Sequence, residues 1–174
     1  MIIVRSFIFN AGFFAGTLVL MVLFLPALAL GRIALPWCGR IWAFMIRWWL
    51  AVIIGARVEI RGKIPKGPCL IAAKHESAWE TIEFFGLLPD TCFVLKRELT
   101  WIPFLGWYIA RNKQIVIDRS SGAGALKRML AEAKVALSSG RQIVVFPQGT
   151  RVDPDVERSY QPGIASLYKH LGVR

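Results

Sequence analysis

Cys69-Leu70-Ile71-Ala72-Ala73-Lys74-His75-Glu76-Ser77-Ala78-Trp79-Glu80 decides the fold. The first five residues are an unbroken apolar run of strand length. The last four open a helix, with acidic residues where the helix dipole favours them. Between these segments stands an imidazole, and five positions further on a carboxylate. On one continuous helix that offset is about 500°, so the two side chains would diverge. They meet if His75 lies in the strand-to-helix turn and Glu80 reaches back from the helix, which would make a general base with its orienting acid. The same two residues also suit an ordinary surface or core hydrogen bond, and the pair alone does not separate these readings. A zinc-protease His-Glu-x-x-His pattern is excluded, because Trp79 occupies the position of its second histidine.

Outward from this stretch, strands and helices alternate. Apolar runs predict strands over 57–61, 69–73, 91–95, 113–118 and 142–146, and helices over 77–87, 124–138 and 162–171. Leu126, Met129, Leu130, Ala133 and Leu137 form one stripe of the second helix, and Gly140 closes it. The expected class is α/β, with a largely parallel or mixed sheet covered by helices. Residues 65–68 read as a turn. Residues 120–124 read as a flexible loop before a helix, with a phosphate cradle as the alternative. No internal repeat is evident.

The 174 residues are 55% hydrophobic, and the excess sits at the N-terminus. No charge occurs from Ser6 to Gly31, enough to cross a ~30 Å hydrocarbon layer as a helix. A cleaved signal peptide competes, with Ala27-Leu28-Ala29 as its small residues, but the apolar region is long for one and a retained anchor is expected. From Pro36 to Ile54 a second apolar stretch carries Arg40 and Arg47, seven apart and so on one helix face, together with Trp42, Trp48 and Trp49. This suits a helix lying in the headgroup plane, while a true span remains the alternative. The expected organisation is a membrane anchor over 1–56 and a catalytic domain over 57–174, incomplete at its C-terminus.

A net charge of +11 admits nucleic acid or an anionic membrane as partner. The basic residues are scattered and the tryptophans lie in apolar stretches, which disfavours nucleic acid. The first 58 residues contain five arginines and no acid, as expected of a segment facing anionic lipid with the catalytic part on the cytoplasmic side. Cys38, Cys69 and Cys92 are odd in number and lack metal-ligand spacing, so neither a disulfide framework nor a metal site is expected, and the compartment reads as reducing.

Two further segments complete a pattern: Lys96-Arg97-Glu98-Leu99 leading to Pro103 and Gly106, then Ile117-Asp118-Arg119, and later Phe146-Pro147-Gln148-Gly149-Thr150-Arg151. With His75-x4-Glu80 they resemble, over roughly 58–163, the glycerophospholipid acyltransferase family. Its pattern is His-x4-Asp, Lys-x-Glu-Leu…Pro…Gly, an Asp-Arg strand end and Phe-Pro-Glu-Gly-Thr-Arg. Any one motif is weak, whereas three in order and spacing are specific.

The resemblance implies acyl transfer from acyl-CoA or acyl-carrier protein to the hydroxyl of lysophosphatidic acid at the inner, cytoplasmic membrane, with no resident cofactor. His75 would be the base and Glu80 its orienting acid, with Glu76 and Glu83 as alternative acids. Arg119 and Arg151, with Lys96 as a third, would seat the phosphate. Gly149 would let backbone approach the ligand, and Thr150 would offer a hydroxyl. Glu80 stands where the family has aspartate and Gln148 where it has glutamate; Gln148 is expected to position the acceptor, since His75 supplies the base. Trp101, Phe104 and Trp107 either line an acyl groove or belong to core and membrane-facing surface. The resemblance also implies a further strand beyond Arg174.

Overall fold

The computed structural model describes residues 1–118 and 122–172. Four strands, β1 (Cys69–Ala72), β2 (Thr91–Lys96), β3 (Ile115–Ile117) and β4 (Gln142–Val145), lie in the order β1-β4-β2-β3. Every pairing among the described residues is parallel, so the sheet is parallel rather than mixed. Residues 57–61 form no strand. Their alternating pattern has period two, but they pair with no neighbour, and a strand without a ladder partner leaves its backbone to water.

Among the described residues, seven α-helices accompany the sheet: α1 (Ile2–Leu23), α2 (Ala27–Leu30), α3 (Leu35–Trp49), α4 (Trp79–Leu87), α5 (Leu105–Arg111), α6 (Gly122–Ser138) and α7 (Pro162–Leu171). Alternation along the strands divides the core. Cys92, Ile115, Ile143 and Val145 pack on Met129, Ala133 and Leu137 of α6 and on Leu167 of α7. Phe93 and Val144 point the other way, against Phe84, Phe85 and Leu88 around the end of α4. Behind α4 lies α3, whose Ala43 and Ile46 are buried with Ile82. Gly39 permits this approach, since a Cβ there would stand 2.8 Å from the Phe85 ring.

α1 and α3 run antiparallel. The Arg5 guanidinium donates to Ile53 O at 2.7 Å, Trp49 Nε1 to Phe9 O at 3.2 Å and Trp42 Nε1 to Thr17 Oγ1 at 2.9 Å. Both α1 and the stretch Leu35–Ile54 are long and apolar enough to cross a membrane. α1 spans about 33 Å and buries none of its residues. On α3, Trp37, Ile41, Phe44 and Trp48 make an exposed apolar stripe.

Arg40 and Arg47 do share a face, but it is turned to the sheet domain and not to headgroups. Arg40 donates to Pro89 O at 3.0 Å, and Arg47 forms an ion pair with the buried carboxylate of Glu83. Trp42 and Trp49 likewise turn onto α1, leaving Trp48 outward. The reason is that a membrane-facing surface tolerates apolar groups best, while polar heads find partners on the protein side.

A second tie lies at the N-terminal ends of the strands. Arg141, 1% exposed, donates to Asp90 Oδ1 at 3.0 Å, Lys113 O at 2.8 Å and Thr91 O at 2.9 Å. Arg32, in the turn between α2 and α3, reaches the other oxygen of Asp90 at 2.7 Å. One carboxylate thus joins the N-terminal helices to the sheet.

Candidate active site

In a parallel sheet, ligands bind beyond the carboxyl ends of the strands, where helix N-termini and loops converge. Here the segments after β1 and β4 supply His75 and Gly149-Thr150-Arg151, and the last residue of β2 is Lys96. All five residues line one cavity of about 650 Å³. Its remaining wall is mostly apolar and is shared between α4, β2 and α5 and the N-terminal helices, which contribute Thr17, Leu20 and Phe24 of α1 and its C-terminal end and Trp42 of α3. The segment expected to act only as an anchor therefore forms part of the site. Trp101 and Trp107 are 67% and 57% exposed, and neither they nor Phe104 line the cavity.

The peptide of His75 is held from both sides. Its N–H donates to Gln148 Oε1 at 2.9 Å, and its carbonyl accepts from Val152 N–H at 2.8 Å. The ring stacks on Phe146, with centroids 4.0 Å apart and planes 16° from parallel. Gly149 makes the intervening turn with φ +70° and donates its N–H to Phe146 O at 2.9 Å. Burial pulls the imidazole below the ordinary histidine range; Glu80 acts to raise it and Arg151 to lower it. The resting ring is therefore neutral, as a general base must be.

Glu80 does not hold the ring. Its carboxylate accepts from the N–H of Glu76 at 2.5 Å, the N–H of Ser77 at 2.9 Å and the Ser77 hydroxyl at 2.8 Å, while Ser77 Oγ accepts from Trp79 N–H at 3.0 Å. These bonds tie the residues just ahead of α4 to its first turn, and Ser77-x-x-Glu80 was the legible spacing for such a contact. Burial raises the Glu80 carboxyl, but the amide and hydroxyl bonds outweigh that and hold it below the usual range. The charge acts on His75 through space. Nδ1 of His75 is buried and has no hydrogen-bond partner among the described residues.

Gln148 also differs from expectation. It is 4% exposed and lies outside the cavity lining, and its side-chain oxygen is engaged by the backbone of His75. Arg119 lies outside the described residues. Its neighbour Asp118 accepts from Arg97 at 2.5 Å, which ties the Lys96-to-Leu99 motif to the end of β3. Among the described residues, no group of three His, Cys, Asp or Glu gathers to hold a metal.

An uncharged imidazole at the carboxyl edge of a parallel sheet, over an apolar cavity and beside cationic side chains, has the form that can accept a proton. Residues 56–174 match the family model described as Acyltransferase, and the chain belongs to that family. It is 37% identical over 134 residues to the 1-acyl-sn-glycerol-3-phosphate acyltransferase of Pseudomonas aeruginosa, covering 76% of this chain and 52% of that protein. To the lyso-ornithine lipid O-acyltransferase of the same organism it is 32% identical over 133 residues, 74% of this chain and 50% of that one. The crystal structure of the 1-acyl-sn-glycerophosphate (LPA) acyltransferase PlsC from Thermotoga maritima shares the fold, with a TM-score of 0.76 at 22% identity over 99% of this chain and 73% of that one. The chain spans about half the length of these two Pseudomonas relatives.

Proposed function

We propose that this chain transfers a fatty acyl group from a thioester, acyl-CoA or acyl-carrier protein, to the free hydroxyl of lysophosphatidic acid, giving phosphatidic acid. The observation that carries this reading is that His75, Lys96 and Arg151 line the same largely apolar cavity. The acceptor hydroxyl gives its proton to His75 as its oxygen attacks the thioester carbonyl; the C–S bond breaks, and the proton passes to the departing thiolate. The bound alcohol serves as nucleophile, so no acyl-enzyme is required. Arg151 and Lys96, joined by Arg119, take the acceptor phosphate, with guanidinium offering two parallel hydrogen bonds. The cavity takes an acyl chain, and the exposed faces of α1 and α3 meet the bilayer, with the site on the cytoplasmic side.

The relative that acts on a lyso-ornithine lipid supports a second reading, an acceptor without phosphate. Transfer assays in detergent with lysophosphatidic acid, glycerol-3-phosphate, lysophosphatidylcholine and a phosphate-free lyso-ornithine lipid separate the cases. His75→Ala is expected to abolish turnover, and full turnover would remove the base. Arg151→Ala is expected to slow phosphate-ended acceptors at least tenfold more than others; an equal loss on all acceptors would unseat the phosphate role. Lipid binding without any turnover would mark a scaffold that keeps the fold.

A further inference from the structure

A buried carboxamide in the cavity has no task in the mechanism. Asn112 is 7% exposed and lines the cavity, and its side-chain Oδ1 has no hydrogen-bond partner among the described residues. It is fixed at the end of α5, where its backbone N–H donates to Tyr108 O at 2.9 Å, and that bond does not involve the carboxamide. Neighbouring polar groups are engaged. Gln114 accepts from Phe93 N–H at 2.5 Å and donates to Thr91 O at 3.2 Å. The Tyr108 hydroxyl donates to Met21 O at 2.6 Å, and Thr17 accepts from Trp42. An unpaired buried amide costs stability that leucine at this position would not.

Its place along the sheet says what can reach it. Ile115 of β3 pairs with Val94, one residue beyond the Phe93–Val144 pair, so Ile115 stands level with Val145 and Ala72. Asn112 precedes that level by three residues, and His75 follows it by three. Asn112 closes α5 ahead of the N-terminal end of β3, and His75 lies beyond the C-terminal end of β1, so the two stand toward opposite ends of the sheet. An acyl chain whose carbonyl is at His75 meets Asn112 only with its distal part. The charged residues of the lining, Lys96 and Arg151, belong to the segments at the His75 end. The group sought is therefore neutral and polar, and an amide, which both donates and accepts, matches a hydroxyl.

We infer that Asn112 is a specificity-determining residue that hydrogen-bonds a hydroxyl carried near the far end of a long acyl chain. This rests on the cavity being the acyl site. The hydroxylated chain arrives either on the thioester donor or on the lysolipid acceptor.

The test uses the full chain in lipid nanodiscs and compares ω-hydroxyhexadecanoyl with hexadecanoyl thioesters on a plain acceptor, then plain donor with hydroxylated and plain lysolipids. In each arm the readout is the ratio of kcat/KM for hydroxylated over plain chains. Asn112→Leu is expected to lower that ratio at least tenfold in one arm, and the arm affected names the source. Asn112→Ala stands in should leucine not be accommodated. Ratios unchanged within twofold in both arms, while plain chains turn over, overturn the inference and leave Asn112 as a site for water. Displacement of a fluorescent fatty acid by free ω-hydroxyhexadecanoic and hexadecanoic acids gives the same ratio without catalysis. Absent turnover thus counts against the acyltransferase reading, and the binding ratio still decides the role of Asn112.

Discussion

His75 is held as a free base by burial and by the guanidinium of Arg151, against the pull of Glu80. Each influence has a sign that a pH profile can read. Because only the neutral ring accepts a proton, kcat/KM falls with acidification through the folded-state pKa, which lies below the usual value of about 6.5. Arg151→Ala should move that acid limb to higher pH and Glu80→Gln to lower pH; movement in the same direction would contradict the assignment. Folding follows the same sign. The unfolded chain takes the proton first, so this group's contribution to stability is present above about 6.5 and is lost as pH falls from there through the folded value. Gln148 permits a sharper test. Gln148→Leu leaves the His75 N–H without its acceptor, at a cost of about 1–3 kcal/mol, and is expected to lower kcat tenfold or more. Gln148→Glu keeps an acceptor and should stay within a few-fold of the parent. A tenfold gain in kcat would mean the position has acid–base work to do. The sequence motifs located His75, Lys96, Gly149, Thr150 and Arg151 at the cavity because a contiguous signature carries its own geometry. They did not show that Glu80 turns to the Ser77 amide and Gln148 to the His75 amide, since spacing gives a position on the backbone and not the direction in which a long side chain turns.

At the scale of elements, the contact between α3 and α4 depends on small residues and one ion pair. The Glu83 side chain is 8% exposed and its partner Arg47 37%. Arg47→Leu leaves that carboxylate buried and unpaired, with an expected cost of about 3 kcal/mol, the lower end for a buried pair because Arg47 is partly wet. Arg47→Leu with Glu83→Leu should recover most of the loss, read as thermal unfolding midpoints in detergent. Equal midpoints for the single and double variants would show that the pair carries no such weight. A seven-residue spacing correctly placed Arg40 and Arg47 on one face, yet periodicity names a face and never its partner. The strands at 69–73, 91–95 and 142–146 were legible because each is a predominantly apolar run of strand length. Residues 57–61 alternate as a strand would, but whether a neighbour exists to pair with them is decided by the whole sheet.

Over the whole molecule, the division into an anchor and a catalytic domain was read from composition, and the apolar bias of the first 56 residues does mark two helices long enough for a bilayer. What composition does not reveal is that their inner faces close a cavity shared with the sheet. A chain lacking residues 1–26 is expected to keep far-ultraviolet circular dichroism typical of an α/β sheet yet lose turnover on every acceptor, even in detergent. Retained turnover would reduce α1 to a tether. Since Thr17, Leu20 and Phe24 line the cavity proposed for the acyl chain, the usual route to a water-soluble fragment, clipping off the greasy end, would discard part of that cavity's wall.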